Sequence, residues 1–126
     1  MNMVPSALRT WFVIHFVADL IFALPMFVAP HWTMALLGWQ TIDPITTRLV
    51  AAALFGIGIE SWLGRNAAVE TFRAMLQLKI LWSSTATLGI AWSIAEGAPA
   101  MAWLFLAVFG GFCAVWSYWR WRLTAS

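Results

Sequence analysis

Few residues in this chain could do chemistry, and several of them fall inside long apolar runs. Among 126 residues there are seven Lys and Arg, five Asp and Glu, and two His. His15 and Asp19 are spaced one helical turn apart, so the carboxylate can accept from the imidazole and orient it. Asp19 lies about ten residues beyond Arg9, roughly 15 Å along a helix and close to the middle of a bilayer. Lys79 reaches a comparable depth if its own helix begins near Val69, which makes an Asp19–Lys79 ion pair geometrically reasonable. Glu60 falls near the level where Arg73 and Gln77 enter, and the spacing predicts a second pair, Glu60 with Arg73. Trp82 lies away from any span end and is expected to be a core or ligand-facing ring.

Insertion scales put an Asp, Lys or Arg at a helix centre near +2.5 to +3.5 kcal/mol, so each such group needs a partner or a task. A buried ion pair can serve only to fix helix register. Three titratable groups at one depth, His15, Asp19 and Lys79, exceed what one such staple requires. The candidate ligand-binding set is therefore His15, Asp19, Lys79, Gln77, Trp82, Glu60 and Arg73. No metal site is expected, because His15 and His31 stand at different depths and Cys113 has no second cysteine beside it. Ser83, Ser84, Thr85 and Thr87 are expected to bond back to helix carbonyls. No nucleophile–base arrangement or phosphate loop is visible, and no cofactor is assigned.

The elements that must hold these residues follow from composition. The chain is 63% hydrophobic and 10% charged, with a mean hydropathy of +0.83. Soluble domains carry roughly a quarter charged residues. Four spans of about 20 residues with short loops nearly exhaust the length, so the expected fold is an all-α integral membrane bundle of four transmembrane helices. The spans are placed at about 8–28, 44–64, 69–95 and 99–119 in one domain covering 1–126. Pro25 is expected to kink the first and Pro30 to end it; a short interfacial helix follows at about 30–38, with Gly38 as its cap. Asp43-Pro44 reads as an N-cap followed by the first residue of a helix. Arg48, Ala52, Gly56, Glu60 and Gly64 recur every fourth residue, which predicts a face of the second span packed on protein. Seven of the ten Trp residues (Trp11, Trp32, Trp39, Trp62, Trp116, Trp119 and Trp121) fall near span ends, where indole rings favour the headgroup region.

Arg9, Arg65, Arg73, Arg120 and Arg122 lie at one set of span ends against Arg48 at the other. The positive-inside rule then puts both termini in the cytoplasm, in a bacterial inner membrane. The first span has ordinary transmembrane length and reads as retained rather than cleaved. The pI near 9.3 reflects these edge arginines and implies no nucleic-acid partner.

A first span ending near Pro30, the segment Leu36-Leu37-Gly38, and a second span opened by Arg48 and running through Gly56-Ile57-Gly58 together resemble the small four-helix DoxX-like bacterial membrane proteins. The likeness covers the first half of the chain. Some members are associated with quinol oxidation, so the resemblance implies a quinone or another membrane partner. The small multidrug-resistance exporters offer an architectural likeness, with Asp19 as the first-helix carboxylate, but Lys79 and Arg73 oppose cation export. The expected function is binding of an amphipathic ligand of quinone or lipid type at the polar cluster. An accessory subunit of a larger membrane complex, a homo-oligomer, a small proton-coupled exporter and an intramembrane isomerase or cyclase are the alternatives.

The expected Asp19–Lys79 pair is testable by a double-mutant cycle in thermal stability. Breaking a fully buried pair from one side costs roughly 3–5 kcal/mol, while removing both charges is close to neutral. Asp19→Asn combined with Lys79→Met should recover most of the loss caused by either change alone. Additive effects would show that the two residues do not couple.

Overall fold

The computed structural model describes residues 3–125, which form five helices and no strand. These are α1 (Ser6–Val28), α2 (Pro30–Leu36), α3 (Pro44–Leu63), α4 (Val69–Ala95) and α5 (Ala102–Ala125). Three of them, α1, α3 and α5, are long and apolar enough to cross a membrane, the composition of a membrane protein. At 27 residues α4 is the longest, about 40 Å at 1.5 Å per residue. Arg73, Gln77, Lys79 and its hydroxyl residues leave it more polar than those three.

Local chemistry explains the boundaries. Asp43 caps α3, its carboxylate accepting from the Ile45 N–H at 3.0 Å, with Pro44 as the first helical residue. Gly38 and Gly97 have φ of 105° and 95°, the left-handed region open to glycine. At each, the glycine N–H and the next N–H donate back to the last turn, Gly38 to Ala35 and Trp39 to Met34, Gly97 to Ile94 and Ala98 to Ser93. Both are the double-bonded glycine stop of a helix. Pro25 stays within α1, and its carbonyl takes both the Ala29 N–H at 2.9 Å and the Thr33 hydroxyl at 2.8 Å. That pair of bonds fixes the corner into α2. The last helix begins after Pro99 and runs past the expected stop near residue 119, because Arg120 donates to the Thr124 hydroxyl and Arg122 to the Tyr118 hydroxyl along its final turns.

The chain divides into two compact units. In the unit Pro5–Asn66, α1 packs along α3 and α2 joins them. Leu8, Phe12, His15, Asp19, Ala23 and Met26 make the buried face of α1, and Thr47, Ala51, Leu54, Gly58 and Ser61 that of α3. Steps of three or four residues put each set on one helix face. Both ends of this hairpin are tied. Arg9 donates to the Arg65 carbonyl at 2.6 Å just past α3, and Arg48 donates to the Phe27 carbonyl at 3.0 Å in the last turn of α1. In the unit from Ala67 onward, α4 packs along α5. Phe72, Leu76, Lys79, Ser83, Trp116 and Leu123 are buried there, and Arg73 donates to the Leu123 carbonyl at 2.9 Å.

The face expected to pack, Arg48, Ala52, Gly56 and Glu60, is exposed, and only Gly64 at its end is buried. The packed face of α3 lies beside it and centres on Gly58. A Cβ at Gly58 would sit 2.8 Å from the Asp19 Cβ, whereas a Cβ at Gly56 would meet nothing within 4 Å. Both stripes carry small residues, and in an apolar helix hydropathy does not separate a face turned to lipid from one turned to protein, so spacing alone picks the wrong one.

The expected order of tolerance at these glycines is therefore Gly56 over Gly58. Gly58→Ala should cost about 1–3 kcal/mol through overpacking against a side-chain root that cannot rotate away. Gly56→Ala should be neutral or slightly stabilising, since Ala exceeds Gly in helix propensity by up to about 1 kcal/mol. Thermal unfolding in detergent measures both, and equal midpoints would contradict the Gly58–Asp19 contact.

Candidate functional site

The polar residues read from the sequence separate into three groups. His15, Asp19 and Lys79 are buried, with 4%, 6% and 2% of their surface exposed. Arg73 and Trp82 are half-buried, while Gln77 and Glu60 are exposed. Arg73 is held within its own unit, by the Leu123 carbonyl and, at 3.8 Å, by Glu70 one turn earlier. Glu60, in the other unit, lies on the exposed face of α3. Gln77 points away from the buried face that carries Lys79, because two residues on a helix differ by about 200°.

In the first unit the site is built on α1. His15 Nε2 stands 3.3 Å from Asp19 Oδ1 across one turn. The backbone of α3 comes in over Asp19 at Gly58, which is why only a residue without a side chain fits there. One turn on, the Ser61 hydroxyl bonds back to the Ile57 carbonyl at 2.8 Å. Phe16 and Trp62 pack with tilted rings, 5.3 Å between centres, and Arg65 lies 3.5 Å over the Trp62 ring. The second carboxylate oxygen, Asp19 Oδ2, is buried and without a hydrogen-bond partner among the described residues. Such an atom forfeits about 1–3 kcal/mol or more of hydration without compensation, and more when charged.

In the second unit Lys79 occupies α4, its ammonium 4.8 Å from the centre of the Trp116 ring. A desolvated cation over an indole face contributes about 2 kcal/mol. Trp116 is wholly buried within the unit, and it stacks on Phe112 at 5.5 Å. Trp82 packs edge-on against Phe109 at 6.1 Å, as a core ring should, and its indole Nε1 is the other buried atom without a partner among the described residues. The Ser83 and Thr87 hydroxyls bond back to the Lys79 and Ser83 carbonyls at 2.7 and 2.6 Å, as sequence reasoning expects.

A correspondence between the units emerges only with the arginine ties in place. His15 and Asp19 lie six and ten residues beyond Arg9, and Lys79 and Ser83 lie six and ten beyond Arg73. All four are buried. On the second helix of each unit, Gly58 and Trp116 each stand seven residues before the carbonyl that accepts from the arginine, and each meets a polar residue of the first helix. The two hairpins thus share a polar register with different occupants. Sequence comparison between the halves misses this, because position and not residue type is shared.

The contribution of the Trp116 ring can be read from two substitutions. Trp116→Phe keeps an aromatic face for Lys79 and should cost about 1–3 kcal/mol as a partial truncation. Trp116→Leu removes the face as well and should cost about 1–2 kcal/mol more. Equal melting temperatures for the two variants would show that the ring acts through volume alone.

Comparison of the chain with protein-family models, with curated proteins and with solved structures finds no match in any of the three, so the reading of its function rests on its own residues.

Proposed function

We propose that this chain is a four-span protein of the bacterial inner membrane, with both termini cytoplasmic, and that it binds an amphipathic ligand of quinone or lipid type. The single observation that carries the reading is the buried His15–Asp19 pair with one carboxylate oxygen unpartnered. A polar group of that kind is costly unless a partner completes it. Phe16 and Trp62, in the same unit, supply apolar surface of the sort that lipophilic ligands occupy, and Lys79 is a separate buried polar position in the other unit. The resemblance of the first-half motifs to DoxX-like proteins, if it reflects kinship, would point in the same direction, towards quinones. α4 serves as the fourth span, its 27 residues compensating in length for its polar content.

The second reading, an accessory subunit of a larger membrane complex, draws on α5. Little of its apolar stretch is buried within the chain, and Trp103, Leu104 and Trp121 are exposed along it. Lipid covers such a face as well as a partner does.

Mild purification followed by organic extraction and mass spectrometry separates the readings. The binding reading expects one lipophilic species close to one per chain, reduced roughly tenfold in Asp19→Asn, the equivalent of about 1.4 kcal/mol. Recovery of bulk lipid alone, unchanged by the substitution, would sink it. Stoichiometric co-purification of a larger membrane protein without such a species would favour the subunit reading.

A further inference from the structure

We propose that the head of the ligand carries a hydroxyl group, and that this hydroxyl donates its hydrogen bond to Asp19 Oδ2. The inference rests on the binding reading above and names the chemistry of the ligand at the same site.

The argument begins with the two carboxylate oxygens. Oδ1 has His15 Nε2 at 3.3 Å, while Oδ2 is buried and has no hydrogen-bond partner among the described residues. The side chain as a whole is only 9% exposed. A carboxylate offers acceptors alone, so what completes it is a donor. A carbonyl head or an ether head has none, so among quinone-type ligands only the reduced, hydroxyl-bearing quinol meets this requirement.

The fold itself does not demand an unpaired acceptor at this register. The position ten residues beyond the arginine tie is Asp19 in one unit and Ser83 in the other. Ser83 is equally buried, and its hydroxyl is satisfied inside its own helix by the Lys79 carbonyl at 2.7 Å. A serine at residue 19 could close on the His15 carbonyl in the same way. The carboxylate cannot, because it has no hydrogen to give to a carbonyl in its ionised form. The Gly58 backbone also comes close at this point, 3.2 Å from Oδ2 to the place where a Cβ would stand. Any side chain on α3 here would press on the carboxylate. Asp19 therefore breaks a pattern that the other hairpin satisfies internally, and it does so where its neighbour has been kept to a glycine.

The test uses two probes of the same shape, 4-hexylphenol and 4-hexylanisole, which differ in whether the head oxygen carries a hydrogen. Each is titrated calorimetrically into the full-length protein in nanodiscs, with empty nanodiscs subtracted. The phenol should bind saturably and at least tenfold tighter than the ether, and this preference should fall at least threefold in Asp19→Asn, whose helicity and size-exclusion profile are checked beside wild type. Saturable binding of both probes with equal affinity would overturn the hydroxyl assignment and leave the ligand-binding reading standing; a buried water serving Oδ2 would give that result. Preference for the phenol that Asp19→Asn leaves intact would also overturn it, by placing the donor's partner elsewhere. Failure of both probes to saturate would remove this inference, whereas the binding reading stands or falls on the co-purified species.

Discussion

Each hairpin of this protein is fastened by an arginine that donates to a backbone carbonyl at the end of the opposite helix. The last four carbonyls of any helix lack intrahelical donors, and in an apolar medium no water completes them. Arg48 meets this need in the last turn of α1 and Arg73 in the last turn of α5, while Arg9 reaches the Arg65 carbonyl just beyond α3. A cation also suits the negative end of the helix dipole. One side chain thus satisfies an orphan acceptor and sets the register between antiparallel helices. The buried face of each helix follows from that register, and so does the level at which polar residues enter the core.

The same constraint explains why arginine counts alone are a partial guide. Arg9, Arg65, Arg73, Arg120 and Arg122 support an orientation through their excess at one set of helix ends, but they are not equivalent. Arg9 and Arg73 reach across a hairpin to another helix. Arg65, Arg120 and Arg122 bond within one turn of their own segment, to the Trp62 carbonyl, the Thr124 hydroxyl and the Tyr118 hydroxyl. The first kind determines packing and the second extends or closes a helix end. Arg48, the exception in the charge count, belongs to the first kind; its position is dictated by the α1 carbonyls.

Much of the local structure was legible because caps and breakers act over a few residues. Asp43-Pro44, Gly38 and Pro30 each sit where the sequence puts them, and the helix bounds agree to within a few residues except at the end of α5. The burial of His15, Asp19 and Lys79 agrees with their placement deep in apolar runs, where an ionisable group needs a partner. What the sequence did not disclose is which of two small-residue stripes on α3 packs, because an apolar helix lacks the polar face that marks the outside of a soluble one. Nor did it disclose the burial of Trp116. An indole near a chain end reads as an interface anchor, and only the neighbouring Lys79 ammonium gives it a reason to be inside.

The shared register of the two hairpins gives the differences between them their meaning. At the first polar position a histidine in one unit corresponds to a lysine in the other, and at the second a carboxylate corresponds to a serine. The lysine has an aromatic ring against its charge and the serine a carbonyl for its hydrogen, so at these two positions the second hairpin carries polar residues as packed parts of a core; Trp82 Nε1, buried and unpartnered among the described residues, belongs to neither position. The first hairpin carries an acid and a base in contact, with a glycine where the other has a tryptophan. A hairpin selected only for stability would close this position as its counterpart does, since an unmet buried acceptor costs more than a hydroxyl turned back on its own helix. The unmet acceptor at Asp19 is what sets the first hairpin apart from its counterpart at this register, and it is the observation on which the proposed binding rests.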